Sequence, residues 1–289
     1  MLTADGLVKE YRGVRVVDGV TMDLAPGTIT GLVGANGAGK SSTIKMLSGL
    51  VAPTHGTATL DGAPTADPHT RQRMGYLPED SPLYEELDPG RLFAFFGNLY
   101  GVDAKTARTR GEAVLTRLGL ERRHWTKPVG NMSKGMRRKV AIALTLLHDP
   151  DVVVLDEPTS GLDPVTVQEM GRFFLELRAQ GKAVLLSAHD LPQVEQVSDR
   201  IVILHKGRMV AAGSLAELRA AWGRRSYRVR ATVAMPGSVA HGSMHEAEFA
   251  DWATVEAAIE GVKAHGGQIL EVDAVPPRLD EILVHVTAG

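Results

Sequence analysis

The segment Gly34-Ala35-Asn36-Gly37-Ala38-Gly39-Lys40-Ser41 fits G-x-x-x-x-G-K-[ST], a spacing whose chemistry is the binding of nucleotide phosphates. Glycines let the backbone wrap closely around an anion, so that successive N–H groups and a helix N-terminus meet its negative charge. Gly34, Asn36, Gly37, Gly39, Lys40 and Ser41, with the following Ser42, are the expected phosphate-binding residues. Lys40 is expected to neutralise the β- and γ-phosphates and Ser41 to ligate Mg²⁺. Farther along, Asp156-Glu157 closes the apolar run Val152-Val153-Val154-Leu155. Both carboxylates are then expected at the carboxyl end of a strand, where open α/β sheets bind ligands. Asp156 is placed in the magnesium shell, and Glu157 as the group that polarises the attacking water. His189 follows a second apolar run, Ala183-Val184-Leu185-Leu186, and is expected on the same rim, touching the γ-phosphate.

These groups must be held by elements the sequence also specifies. Apolar β-runs alternate with amphipathic segments over the first two thirds of the chain, which predicts α/β architecture around a mainly parallel sheet. Residues 28–33 read as a strand and 40–47 as the helix that the glycine-rich turn opens. The runs 152–155 and 183–186 read as strands buried on both faces, and residues 201–204 and 208–211 as a hairpin around Lys206-Gly207. Between about 82 and 149 the pattern becomes helix after helix, a helical insertion in the core. Asp88-Pro89 begins one of them as N-cap and first helical position, and Leu92, Phe95, Phe96 and Leu99 recur along it at helical spacing. Asp163-Pro164 reads as another such cap, before Met170, Phe173, Phe174 and Leu177.

A helix is expected over 214–222. The tail then reads strand (227–233), loop (236–243), helix (about 248–265, with Trp252, Val255, Ile259 and Val262 on its buried stripe), strand (269–272) and helix (279–286). From Tyr227 onward four basic residues face nine acidic ones, a balance of −5, which leaves +3 for the preceding residues. The expected organisation is therefore a first domain over 1–222 and a small C-terminal α/β accessory domain over 227–289. His241 and His245 lie four apart without a third ligand and are expected in a solvated loop.

With the phosphate loop, the segments Asp156-Glu157-Pro158-Thr159-Ser160-Gly161-Leu162-Asp163-Pro164 and Ser187-Ala188-His189 make the chain resemble the nucleotide-binding subunit of an ATP-binding cassette (ABC) transporter, over about residues 2–219. The family's signature, normally L-S-G-G-Q, stands here as Met132-Ser133-Lys134-Gly135-Met136. The resemblance implies a P-loop NTPase cassette that binds ATP and Mg²⁺ and hydrolyses ATP, with Glu157, His189 and Lys40 as its catalytic groups. It also implies that Ser133 and Gly135 contact the γ-phosphate of ATP held by a second copy in a head-to-tail dimer, and that Tyr11 stacks on adenine. The family's loop glutamine falls on Glu79, expected to join Ser41 and Asp156 around the metal. Lys134, Met136 and Glu79 depart from the common pattern in the way of the exporter-type subset whose permeases are separate chains.

Composition narrows the partners. The 289 residues are 44% hydrophobic and 23% charged, with net charge −2 and no cysteine, which excludes disorder, disulfides and thiolate metal sites. No apolar run is long enough to span a bilayer, and the first residues lack the features of a signal peptide. The expected location is cytoplasmic, peripheral on the inner face of the cell membrane, with an integral membrane permease supplied by another chain. The chain has no global basic field, so no nucleic-acid partner is expected. The competing class, a soluble cassette ATPase working on nucleic acid or ribosomes, usually carries two cassettes, a coiled-coil insertion or cysteine-rich modules. A GTPase or small-molecule kinase would lack an explanation for the signature segment.

Overall fold

The computed structural model describes residues 1–189, 191–223 and 226–287. It divides into two compact units, Met1–Ser214 and Leu215–Gly289. The first unit begins with two long antiparallel strands, β1 (Leu2–Tyr11) and β2 (Val14–Leu24). Next come β3 (Ile29–Val33), α1 (Lys40–Leu47), β4 (His55–Leu60), β5 (Ala63–Pro64), α2 (Pro68–Arg71) and β6 (Met74–Leu77). The helical insertion follows as α3 (Pro89–Leu99), α4 (Ala104–Arg117) and α5 (Lys134–Thr145). The unit is completed by β7 (Val152–Leu155), α6 (Pro164–Ala179), β8 (Ala183–Ser187), α7 (Leu191–Val197), β9 (Arg200–His205) and β10 (Arg208–Gly213).

Strand order in the larger sheet is β10-β9-β3-β8-β7-β6. All pairings are parallel except β10 with β9. Its central strands are continuous apolar runs buried on both faces, as a sheet covered on both sides requires. Complete burial of each valine or leucine contributes roughly 1.5–3 kcal/mol. A four-stranded antiparallel sheet, β2-β1-β4-β5, covers one side. Leu7, Val20, Leu24 and Leu60 of that sheet share a core with Ile44 and Leu47 of α1 and with Val154, Leu185 and Leu204 of the larger sheet. The parallel register sets Leu32 opposite Ser187 and Leu155 opposite Leu186. The carboxyl ends of β3, β8 and β7 therefore lie side by side, and the segments that follow them share one rim.

The insertion has its own core, built on Leu92, Phe93, Leu115, Val129, Val140 and Leu147. Asp88 caps α3, accepting from the Arg91 N–H at 2.9 Å. The apolar stripe expected on that helix needs correction: Leu92 is fully buried, but Phe95 is 46% and Leu99 64% exposed, while Phe93 takes the inner position. Asp163 caps α6 through the Thr166 N–H at 3.0 Å, and Met170, Phe173, Phe174 and Leu177 are buried as the spacing predicts.

The second unit holds α8 (Leu215–Trp222), β11 (Ser226–Ala231), β12 (Val239–His241), β13 (Met244–Phe249), α9 (Trp252–Ala264), β14 (Ile269–Val275) and α10 (Leu279–Thr287). Its antiparallel sheet runs β12-β13-β11-β14. The core joins Val229, Ala231 and Ala247 of the sheet to Val255, Ala258 and Val262 of α9. Trp252 is 48% exposed and Ala258 takes its place in the buried stripe. Asp251 caps α9, accepting from the Thr254 N–H at 2.8 Å. The segment expected as loop contains a hairpin, in which His241 pairs with Met244 and Ala240 with His245. Contacts draw the boundary at Ser214/Leu215 rather than beyond residue 222. The reason is that α8 packs with α10, Trp222 meeting His285 edge-on at 6.3 Å and Arg219 Nε donating to the Pro277 carbonyl at 2.8 Å.

Candidate functional site

Backbone geometry makes the cradle between β3 and α1. Gly39, the residue before α1, has φ +101°, and a Cβ there would stand 2.7 Å from the Val16 carbonyl. At Gly34 a Cβ would stand 2.4 Å from the Leu204 carbonyl. These two positions therefore exclude any side chain on steric grounds as well as conformational ones. The turn lines a cleft of about 700 Å³ bounded by Asn36, Gly37, Gly39, Lys40, Ser41 and Ser42 on one side and by Glu79, Glu157, Ser160 and His189 on the other. The buried Lys40 donates from Nζ to the Gly34 carbonyl at 2.7 Å. Its ammonium stands 4.0 Å from Glu157 Oε1, so opposite charges face each other across the cleft.

The carboxylates expected after β7 are fixed by groups from β8. Asp156 is 2% exposed. Ser187, fully buried at the end of β8, donates from Oγ to Asp156 Oδ1 at 2.6 Å and accepts from the Glu157 N–H at 2.9 Å. Glu157 itself has φ +49°, a left-handed conformation that costs a non-glycine residue of order 1–3 kcal/mol unless its surroundings enforce it. Its Oε2 accepts from the His189 N–H at 3.3 Å and lies 2.6 Å from His189 Nδ1. An ionised carboxylate only accepts, so this pairing selects the tautomer with the proton on Nδ1. Tyr76 on β6 has its phenol pushed up to about 12, by burial first and then by the charges of Asp156 and Glu79.

A second set of contacts comes from α5. Ser133 caps that helix, accepting from the Met136 N–H at 3.2 Å. Ser133 and Gly135 do not line the cleft, and neither does Tyr11, which is exposed at the end of β1 with Lys9 Nζ 5.0 Å from its ring centre. Lys134 lies over the segment after Glu157, with Nζ 2.5 Å from where a Cβ on Gly161 would sit. Arg138 reaches deeper, toward the carbonyls around Asp156 and those of residues 78–79. Reading by motif assigns Ser187 and Arg138 no role. Ser187 was detectable, since it ends the run beside the one that Asp156 ends. Arg138 was not, because its partners are five carbonyls and one hydroxyl from segments far away in sequence.

The oxygen donors of Ser41, Asp156 and Glu79 suit a hard divalent cation. Among the described residues no group of three or more His, Cys, Asp or Glu could hold a metal by itself. Ser41 and Glu79 line the cleft, whereas the buried Asp156 does not. Among the described residues no helix is long and apolar enough to cross a membrane.

Residues 17–160 match the profile of the ABC transporter family. The chain is 38% identical over 208 residues to Nod factor export ATP-binding protein I of Burkholderia orbicola, covering 71% of this chain and 68% of that one. It is 39% identical over 193 residues to the ABC transporter ATP-binding protein sll0415 of Synechocystis sp., covering 66% of this chain but only 54% of that longer protein. A solved ATP-binding subunit of an ABC transporter superposes with a TM-score of 0.71 at 35% identity, over 77% of this chain and 93% of that one.

Proposed function

Because the chain belongs to the ABC transporter family and is an ATPase, we propose that it is the energy-supplying subunit of an exporter, working as a head-to-tail dimer with a separate membrane permease. The observation that carries this reading is the cleft in which Glu157, braced by His189 and Ser187, faces Lys40 across the phosphate-binding turn.

The triphosphate occupies the turn, its charge met by backbone N–H groups of residues 37–42 and by Lys40, while the adenine extends beyond the cleft to stack on the exposed ring of Tyr11. Ser41, Asp156 and Glu79 are the residues that would hold a magnesium ion, and such an ion would supply neutralisation of phosphate charge. Glu157 Oε1 orients a water for in-line attack on the γ-phosphorus, and His189, holding Oε2, keeps that carboxylate aimed. Ser133 and Gly135 lie outside the cleft of their own chain, which supports their use on the ATP of the second copy. A helix N-terminus favours an anion whichever chain supplies it. Loss of the bridging charge on hydrolysis then lets the dimer open.

Export is supported by the similarity to the Nod factor export ATP-binding protein of Burkholderia orbicola. Permease docking is supported by the exposed aromatic patch on the insertion. There Tyr84, Phe95 and Leu99 are each close to half exposed or more, and Tyr84 and Phe95 pack edge-on at 5.6 Å. Such a patch beside the Glu79 loop fits an apolar segment of a membrane protein. The chain would thereby sit on the inner face of the membrane, and its second unit, separately cored, is assigned no part in ATP binding.

Glu157→Gln tests the reading, since it keeps size and polarity but removes the base. ATP binding is expected to persist while turnover falls on the order of 10²–10⁴-fold, and Mg-ATP is expected to convert the variant to dimers in sedimentation. Near-normal turnover would reject the role of Glu157, and a nucleotide-loaded monomer at high protein concentration would reject the dimer.

A further inference from the structure

We propose that Arg138 is a positioning residue for ATP hydrolysis: its guanidinium fixes the turn that carries Glu157 and joins that turn to the loop of residues 78–81. The proposal rests on the reading of Glu157 as the group that activates water.

The guanidinium has five N–H donors in a rigid plane, and here they meet six acceptors from two separate segments. Nε donates to the Pro158 carbonyl at 2.9 Å, and Nη2 to the carbonyls of Asp156 at 3.0 Å and Glu157 at 2.6 Å. Nη1 turns to the other segment, donating at 2.9 Å to the Pro78 and Glu79 carbonyls and to Ser81 Oγ. Three consecutive carbonyls around the left-handed Glu157 are thus tied to one rigid group.

The two faces of that residue's backbone are held independently. Its N–H is bonded to Ser187 Oγ and its carbonyl to Arg138. The Ser160 N–H adds only a longer bond to the same carbonyl, at 3.3 Å, so without Arg138 the strained φ of +49° is less firmly enforced and the carboxylate can shift away from Lys40. Because Nη1 and Nη2 belong to one plane, a displacement of the 78–81 loop also reaches Glu157. Arg138 sits one turn beyond the Ser133 cap of α5, so the same group connects the signature helix to both segments. A lysine cannot reproduce this, since its three donors radiate from a single point.

The test is a double-mutant cycle in the full chain, with single-turnover ATP hydrolysis, affinity for a fluorescent ATP analogue and thermal melting read for every form. Arg138→Lys is expected to lower the hydrolysis rate about 10–100-fold while changing nucleotide affinity less than about 3-fold, the pattern of a lost transition-state geometry. Arg138→Gln, which keeps part of the donor set, serves as the second variant should the lysine form melt below the assay temperature. Added to Glu157→Gln, either change is expected to cost less than about 3-fold more, because groups acting through one another are not additive. Wild-type rates in both variants, or a loss that multiplies in full with that of Glu157→Gln, would overturn the proposal. Near-normal turnover of Glu157→Gln alone would instead overturn the role assigned to Glu157.

Discussion

Ser187→Ala removes a single oxygen from a fully buried position, and the structure fixes what that oxygen does. It donates to the buried Asp156 carboxylate at 2.6 Å and accepts from the Glu157 N–H at 2.9 Å. A hydrogen bond to a charged group contributes about 1.5–3 kcal/mol, and a buried donor left without an acceptor costs about 1–3 kcal/mol. The two overlap in part, so the expected loss is about 2–5 kcal/mol. For a unit of this size each kcal/mol moves the midpoint by about 2–4 °C, and a loss near 3 kcal/mol lowers melting by about 6–12 °C. The assay is thermal and urea unfolding at pH 7 of the parent, Ser187→Ala, Asp156→Asn and the double variant. In the Asp156→Asn background the acceptor is neutral and its bond weaker, so the serine change is expected to cost about 1 kcal/mol less there. A Ser187→Ala midpoint within about 2 °C of the parent, or equal losses in both backgrounds, would refute the reasoning.

Glu79→Gln removes a negative charge from a cleft that already holds Glu157. It is expected to raise the magnesium concentration needed for half-maximal turnover while leaving ATP affinity nearly unchanged, and identical magnesium titrations would make Glu79 a solvated loop acid. His148 stacks on Tyr100 at 4.0 Å, and burial, assisted by the nearby Lys182 and Arg110, holds its imidazole below the usual value, against the opposing pull of Asp149 and the Met74 carbonyl. Below pH about 6.5 the unfolded chain then takes up a proton that the folded chain refuses, so stability falls on acidification through that range by at most about 1.4 kcal/mol per pH unit. His148→Gln is expected to flatten the melting profile between pH 7.5 and 5.5, and an unchanged slope would show that another group sets it.

How much of this was legible in the sequence depends on where each group finds its partners. The cradle was readable because its glycines, Lys40 and Ser41 lie within eight consecutive residues. Asp156, Glu157 and His189 were expected together because parallel strands bring equivalent run ends to one rim. The strands β1, β2 and β4 carried no such mark, since their alternation is broken by bulges between Ala4 and Leu7 and between Lys9 and Glu10. On α3, apolar spacing could not tell Phe93, facing α4 and α5, from Phe95 and Leu99, which face outward. The hairpin holding His241 and His245 was hidden because its first strand is only three residues long and its second carries His245, Glu246 and Glu248. The grouping of α8 with the second unit had no sequence signal, because its packing partner, α10, lies far down the chain.

That pairing of α8 with α10 makes the second unit a cartridge. The unit opens with one helix, and the last helix of its described fold rests against the first. Exchange at the Ser214/Leu215 boundary moves a complete core, whereas a cut at residue 222 would strand α8 without the surface it packs on. A cut between Ser214 and Leu215 therefore leaves every residue that lines the cleft within one unit, as a boundary between separately cored units requires.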